Sequence, residues 1–111
     1  MKILFTAQGS KLDDQMDSRF GRAAGFIVYD EATELYEWHD NNENKSAGHG
    51  AGTSAAQNVA DLGVEAVVTY HVGDKAQQIL DKMNIAVYSH VENMTVREAL
   101  VKFQNNELDK D

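Results

Sequence analysis

Apolar and polar positions along the chain fall into strand-like runs first and helical stripes later. Residues 2–7 (Lys-Ile-Leu-Phe-Thr-Ala) form an apolar run closed by Gln8-Gly9-Ser10, which predicts a buried strand. Residues 9–19 are polar, hold three aspartates and show little periodicity, so they read as a loop. Gly25-Phe26-Ile27-Val28-Tyr29 is rich in β-branched and aromatic residues and predicts a second strand. Asp30 to Thr33 makes a turn, and Glu34 to His39 returns as a third strand. Its charges alternate with Leu35, Tyr36 and Trp38, as on a half-exposed edge.

The second half changes period. Asp40 to Gly52 is rich in asparagine and glycine and reads as a loop. Thr53 to Leu62 predicts a helix with Ala56, Val59 and Ala60 inward and Gly63 as its stop. Glu65 to Tyr70 is a central strand. Ala76, Ile79, Leu80 and Met83 then share one helical stripe. Ile85 to Tyr88 is the last strand. Thr95 and Glu98 form a capping-box pattern ahead of Val96, Ala99, Leu100 and Phe103, a third amphipathic helix.

The order βββ then αβαβα joins a meander to right-handed crossovers. It predicts an α/β fold: a five-stranded mixed sheet in order 3-2-1-4-5, only strand 2 antiparallel, with three helices in outer layers on both faces. That is the ribonuclease H-like topology. With 111 residues, one domain is expected, spanning 1–105, followed by a charged tail at 106–111 that frays.

Composition narrows the chemistry. The chain has no cysteine, which excludes disulfides, thiolate metal sites and cysteine nucleophiles. Ten basic against 18 acidic residues give a formal charge of −8, with acids concentrated at Asp30, Glu31, Glu34, Glu37, Asp40 and Glu43 and again at Glu107, Asp109 and Asp111. Nucleic-acid binding needs a basic patch, so no nucleic-acid partner is expected. No apolar stretch approaches a membrane span and residues 1–8 lack a signal-peptide core, so a soluble cytoplasmic protein is expected.

Strand direction gathers the unusual residues. If strands 1, 3, 4 and 5 run parallel, their C-terminal ends share one rim, where open α/β sheets bind ligands. Arg19-Phe20-Gly21-Arg22 enters strand 2 there. His39, His71 and His90 follow strands 3, 4 and 5, and His49 lies in the loop before the first helix. Gly48-His49-Gly50-Ala51-Gly52-Thr53-Ser54 opens that helix, and Val72-Gly73-Asp74 opens the next. Two helix N-termini with Arg19 and Arg22 make a local anion cradle on an acidic protein. The plain alternative is that these glycines only serve tight turns, and that His39 and His90 are exposed strand-end residues. His49 and His71 flank the cradle and are the candidate metal ligands.

Enzyme readings find no support in the spacing. No Gly-Lys-Ser/Thr phosphate loop and no His-Glu-x-x-His occur, and the glycine segments do not match the dinucleotide fingerprint. Ribonuclease H-like nucleases hold two metals on carboxylates of the first strand, first helix and fourth strand. Here the first strand has no acid, the helix only Asp61 near its end, and strand 4 merely begins with Glu65. Ser54 beside a histidine lacks the context of a nucleophile–base pair.

Met16-Asp17-Ser18-Arg19-Phe20-Gly21-Arg22-Ala23, Gly-His-Gly-x-Gly at 48–52, Gly63 to Val68 with Gly73, Ile85 to Tyr88 and Thr95 to Leu100 together resemble the dinitrogenase iron-molybdenum cofactor biosynthesis family. The resemblance covers about residues 1–105. It implies a ribonuclease H-like fold used as a carrier: a non-enzymatic protein for an iron-molybdenum or other anionic metal-sulfur cluster, exchanging it with donor and acceptor proteins. Family carriers often have a histidine ahead of the Phe-Gly, where this chain has Arg19. The resemblance therefore implies binding through Arg19, Phe20, Gly21, Arg22, Gly48, His49, Gly50, Gly52, Thr53 and Gly73, with His49 or His71 on metal. The alternatives are a regulatory module holding a small anionic metabolite at the same cradle, and a plain protein-docking domain using the edge strand with Tyr36 and Trp38.

Overall fold

The computed structural model describes residues 1–41 and 51–110. Its elements are β1 (Lys2–Ala7), β2 (Gly25–Asp30), β3 (Leu35–Asp40), α1 (Ala51–Asp61), β4 (Ala66–Val68), α2 (Asp74–Lys82), β5 (Ala86–Tyr88) and α3 (Val96–Gln104). The sheet order is β3-β2-β1-β4-β5. β2 runs antiparallel to both β1 and β3, while β1, β4 and β5 are mutually parallel. Among the described residues, strand order, strand directions and the three helices match the pattern-based expectation.

β1 lies at the centre because both of its faces are apolar. Leu4 packs with Val28, Val67 and Val87 beneath α1 and α2, which contribute Ala55, Ala56, Val59, Ala76 and Leu80. Ile3, Phe5 and Ala7 point the other way, with Ile27, Ala66 and Val68, against Val96, Ala99 and Leu100 of α3. Ile3, Leu4 and Phe5 are wholly buried, each stabilising the fold by about 1.5–3 kcal/mol through removal of apolar surface from water.

Helix ends follow their local chemistry. Gly63 closes α1 at φ +74°, a conformation a side chain disfavours. Thr95 caps α3: its hydroxyl accepts from Glu98 N at 3.1 Å, and the Glu98 carboxylate accepts from Thr95 N at 3.0 Å. At α3, loop carbonyls take the next donors, Val96 N to Asp14 O at 3.0 Å and Arg97 N to Leu12 O at 2.8 Å.

Three expectations differ from the structure. Met83 is 54% exposed, because the helix ends at Lys82, one residue before it, and the buried stripe ends at Leu80. Residues 9–19 have no regular element but are packed: Leu12, Met16 and Asp17 are buried, and Met16 pairs with Ala7 in an isolated bridge. The tail lies back against the sheet over its described length. Lys110 bridges to Tyr88 and Leu108 packs on the α3 side, because that face still has apolar surface beside Tyr88 and Phe103.

Candidate functional site

The loop after β1 is organised by one buried carboxylate. Asp17 is 3% exposed, yet its oxygens are fully engaged. Oδ1 accepts from Arg19 N at 3.0 Å and Arg19 Nε at 3.2 Å; Oδ2 accepts from Ala24 N at 3.3 Å and Arg19 Nη2 at 3.3 Å. Two backbone donors and a two-pronged guanidinium therefore converge on Asp17, folding the Ser18–Ala24 segment around it. The Asp17 hydrogen bond, reinforced by its charge, raises the Arg19 pKa. Beneath this loop the chain is tied to β1 and β4. Asp17 N donates to Thr6 O at 2.9 Å, and the Thr6 hydroxyl donates to Asp17 O at 2.6 Å. The Thr6 and Thr69 hydroxyls lie 2.9 Å apart; since Thr6 has one proton, Thr69 is the donor between them.

From Asp17 the backbone crosses to the neighbouring strand end. Arg19 pairs in parallel with His71, three residues after the end of β4. Two residues on, Gly73 caps α2 with φ −65°, and Gln77 N donates to Gly73 O at 2.9 Å. A Cβ at Gly73 would meet nothing within 4 Å, and its φ suits any residue. Neither packing nor backbone strain in this chain requires glycine there.

The rim's positive features carry built-in carboxylates. Arg19 is paired with Asp17 and keeps 63% of its side chain exposed; Asp74 sits in the first turn of α2. Two of Arg19's five N–H donors go to Asp17, so it offers the remaining ones as directed donors on a pre-set plane rather than as an isolated charge. Beside it, a cleft of about 390 Å³ opens between α2 and the ends of β4 and β5, lined by His71, His90, Asp74 and Asp81 among others. Among the described residues, its lining has two histidines and two aspartates and no lysine or arginine. Among the described side chains here, the permanent positive charge is that of Arg19, at the edge of this cleft. His90 is held at φ +65° by His90 N to Tyr70 O at 2.8 Å, its ring edge-on to Tyr70 at 5.6 Å.

The sequence-predicted residues separate into groups. Arg19, His71 and Gly73 come together. Phe20 is buried in the core against Phe26, its ring centroid 5.9 Å away, so it anchors the loop from below. Gly21 offers its carbonyl to Asn41 Nδ2 at 3.1 Å, and Arg22 is exposed beside it. Gly52 and Thr53 lie in the first turn of α1, whose far end approaches the start of β1 through Glu65 N to Lys2 O at 2.9 Å. That polarity puts the first turn toward the rim. Gly48, His49 and Gly50 lie outside the described residues. His71 and His90 share the cleft, whereas His39 sits on β3, three strands from β4, beside Glu37 at 3.4 Å. Among the described residues, no three histidine or carboxylate side chains cluster closely enough to hold a metal ion. Sequence reasoning missed Asp17, the Thr6–Thr69 pair and Asn41, which is 1% exposed and also donates to Ala23 O at 3.0 Å. The signal for Asp17 was its place two residues before an arginine in a loop that must turn back under a sheet.

Comparison with known proteins matches residues 1–106 to the family described as dinitrogenase iron-molybdenum cofactor. The apo form of the orange protein from Desulfovibrio gigas is similar over 99% of this chain and 92% of its own, with 42% identity and a TM-score of 0.96. A putative NifB protein from Thermotoga is 29% identical, over 98% of this chain and 91% of its own, with a TM-score of 0.86. An uncharacterized protein of Methanocaldococcus jannaschii is 25% identical over 104 residues, covering 88% of this chain and 84% of its own.

Proposed function

Because this chain belongs to the dinitrogenase iron-molybdenum cofactor family, we propose that it is a non-enzymatic carrier of an anionic metal-sulfur cluster, seated at the C-terminal rim of a ribonuclease H-like sheet. The observation that carries this reading is the backbone pairing of Arg19 with His71, which joins the loop after β1 to the start of α2 beside a glycine with open space above it. Backbone N–H groups at 73–75 and in the first turn of α1, with the Arg19 guanidinium and Arg22, donate to the sulfides and oxo groups of such a cluster. Gly21 belongs to the proposed surface, as do Gly48, His49 and Gly50 outside the described residues; His71, exposed at the junction, can add an imidazole to metal. The built-in carboxylates make this a site of directed hydrogen bonds, suited to loading and release rather than permanent retention. The cluster's donor and acceptor are proteins, and the exchange takes place in the cytoplasm; no helix among the described residues is long and apolar enough to cross a membrane.

Anaerobic reconstitution with ferrous iron, molybdate and sulfide, followed by metal analysis, tests the reading. Wild type is expected to retain metal and an Arg19→Glu/His49→Ala variant to lose it. Equal uptake by both removes the proposed site. Stabilisation of the metal-free protein by phosphate esters, without metal uptake, replaces the carrier with a metabolite-binding module.

A further inference from the structure

The two edges of the sheet are finished differently. At β5 the chain covers its own edge: Lys110 bridges to Tyr88. At β3, among the described residues, nothing pairs with the outer side. Opposite β2, the register pairs Asn41 with Ala24, and Asn41 N donates to Ala24 O at 3.2 Å. The alternation of an antiparallel ladder then turns Glu37 and His39 toward β2 for backbone bonding. Tyr36 and Trp38 direct their N–H and C=O groups outward.

Side chains along this edge are of two kinds. Tyr36 (42% exposed) and Trp38 lie on the α3 face, where Trp38 is partly buried against the core. Leu35 (69% exposed) and Glu37 lie on the other face. Natural edge strands are blunted by charged side chains, proline or a bulge; β3 has no lysine, proline or bulge, and its charged residues, Glu37 and Asp40, are both acidic. From Asp30 to Asp40 the chain carries five carboxylates and no lysine or arginine. A second copy of this chain on the same edge would set five carboxylates against five, on two molecules each of formal charge −8.

We propose that β3 is a docking strand for an extended basic segment of a partner protein, which adds a sixth strand to the sheet. Apolar side chains of that segment pack on Tyr36 and Trp38; its lysines or arginines, at alternate positions, face Glu37. The backbone supplies affinity and the alternation supplies selectivity. This surface is separate from the rim and does not depend on what the rim binds.

Trp38 is the chain's one tryptophan and reports directly on the edge. The probe is a capped eight-residue peptide alternating lysine and valine, titrated into the full chain while Trp38 emission and residue-resolved amide exchange are followed. A saturable emission change with slowed exchange at Tyr36 and Trp38, and none at Ala86 or Tyr88, is expected. Glu37→Lys, at a side chain 78% exposed and so compatible with folding, is expected to weaken the midpoint about fivefold, the scale of one exposed ion pair. The proposal is overturned by unchanged exchange at Tyr36 and Trp38, by an equal response to a glutamate–valine peptide, or by sedimentation showing that this edge already joins two copies of the chain.

Discussion

Replacing Asp17 with alanine tests whether the rim loop is held by a buried acceptor or by a salt bridge. The substitution removes the partners of two backbone donors, Arg19 N and Ala24 N. A hydrogen bond to a charged acceptor is worth roughly 1.5 kcal/mol or somewhat more, and a buried donor left unmatched costs about as much. The Arg19 fork is largely exposed, so its pairing adds at most about 1 kcal/mol. The total loss for Asp17→Ala is therefore about 3–4 kcal/mol. At a urea slope of about 2 kcal/mol/M this lowers the unfolding midpoint by roughly 1.5–2 M. Arg19→Met keeps the carboxylate and both backbone bonds, and is expected to cost less than about 1 kcal/mol. Urea titrations followed by circular dichroism measure both. If Arg19→Met proves as damaging as Asp17→Ala, or if Asp17→Ala unfolds at the wild-type midpoint, the reasoning about the loop is wrong.

Three other outcomes are expected. Gly25→Ala would drive a methyl into the Trp38 ring and the His39 carbonyl; it should destabilise by about 1–3 kcal/mol and shift Trp38 emission, both readable in one fluorescence-detected urea titration. Glu34 sits at φ +59° in the β2–β3 turn, so Glu34→Gly should stabilise by about 0.5–1 kcal/mol and raise the Tm in calorimetry. The Glu98 pKa is lowered, chiefly by its hydrogen bond from the Thr95 backbone and then by the Thr95 hydroxyl. Its stabilisation is thus full above the ordinary carboxylate range and lost as pH falls through the lowered value. Glu98→Gln should flatten that acid limb of the stability–pH curve, and an unchanged limb would refute the assignment.

Much of the frame was legible because each strand and helix repeats a short-range signal. The Thr95–Glu98 box, the stop at Gly63 and the two-faced apolar run of β1 are all visible within a few residues of sequence. The packed loop was not, since Leu12 and Met16 are two apolar residues in a polar stretch, and their burial depends on β1 and on the segment entering α3, which is far along the chain. Of the candidate site, topology put the Arg19 loop and His71 on one rim, and the structure adds that the two pair directly. Topology did not reveal that Asp17 occupies part of the Arg19 fork, because whether a neighbouring carboxylate turns inward depends on donors such as Ala24 N, whose direction is set by the folded backbone. Nor did spacing show that Phe20 belongs to the core rather than to a ligand surface.

The central position of β1 has a consequence for how the molecule assembles. Its pairing with β2 joins neighbouring stretches and forms early, but its other partner is distant: Leu4 meets Val67. Until that long chain closure is made, the inner edge of the first three strands presents Ile3, Leu4 and Phe5 unpaired to anything nearby. Refolding should therefore be limited by the arrival of β4, and the fragment ending at Asn41 should self-associate, because its stickiest strand is the one the complete protein hides most thoroughly.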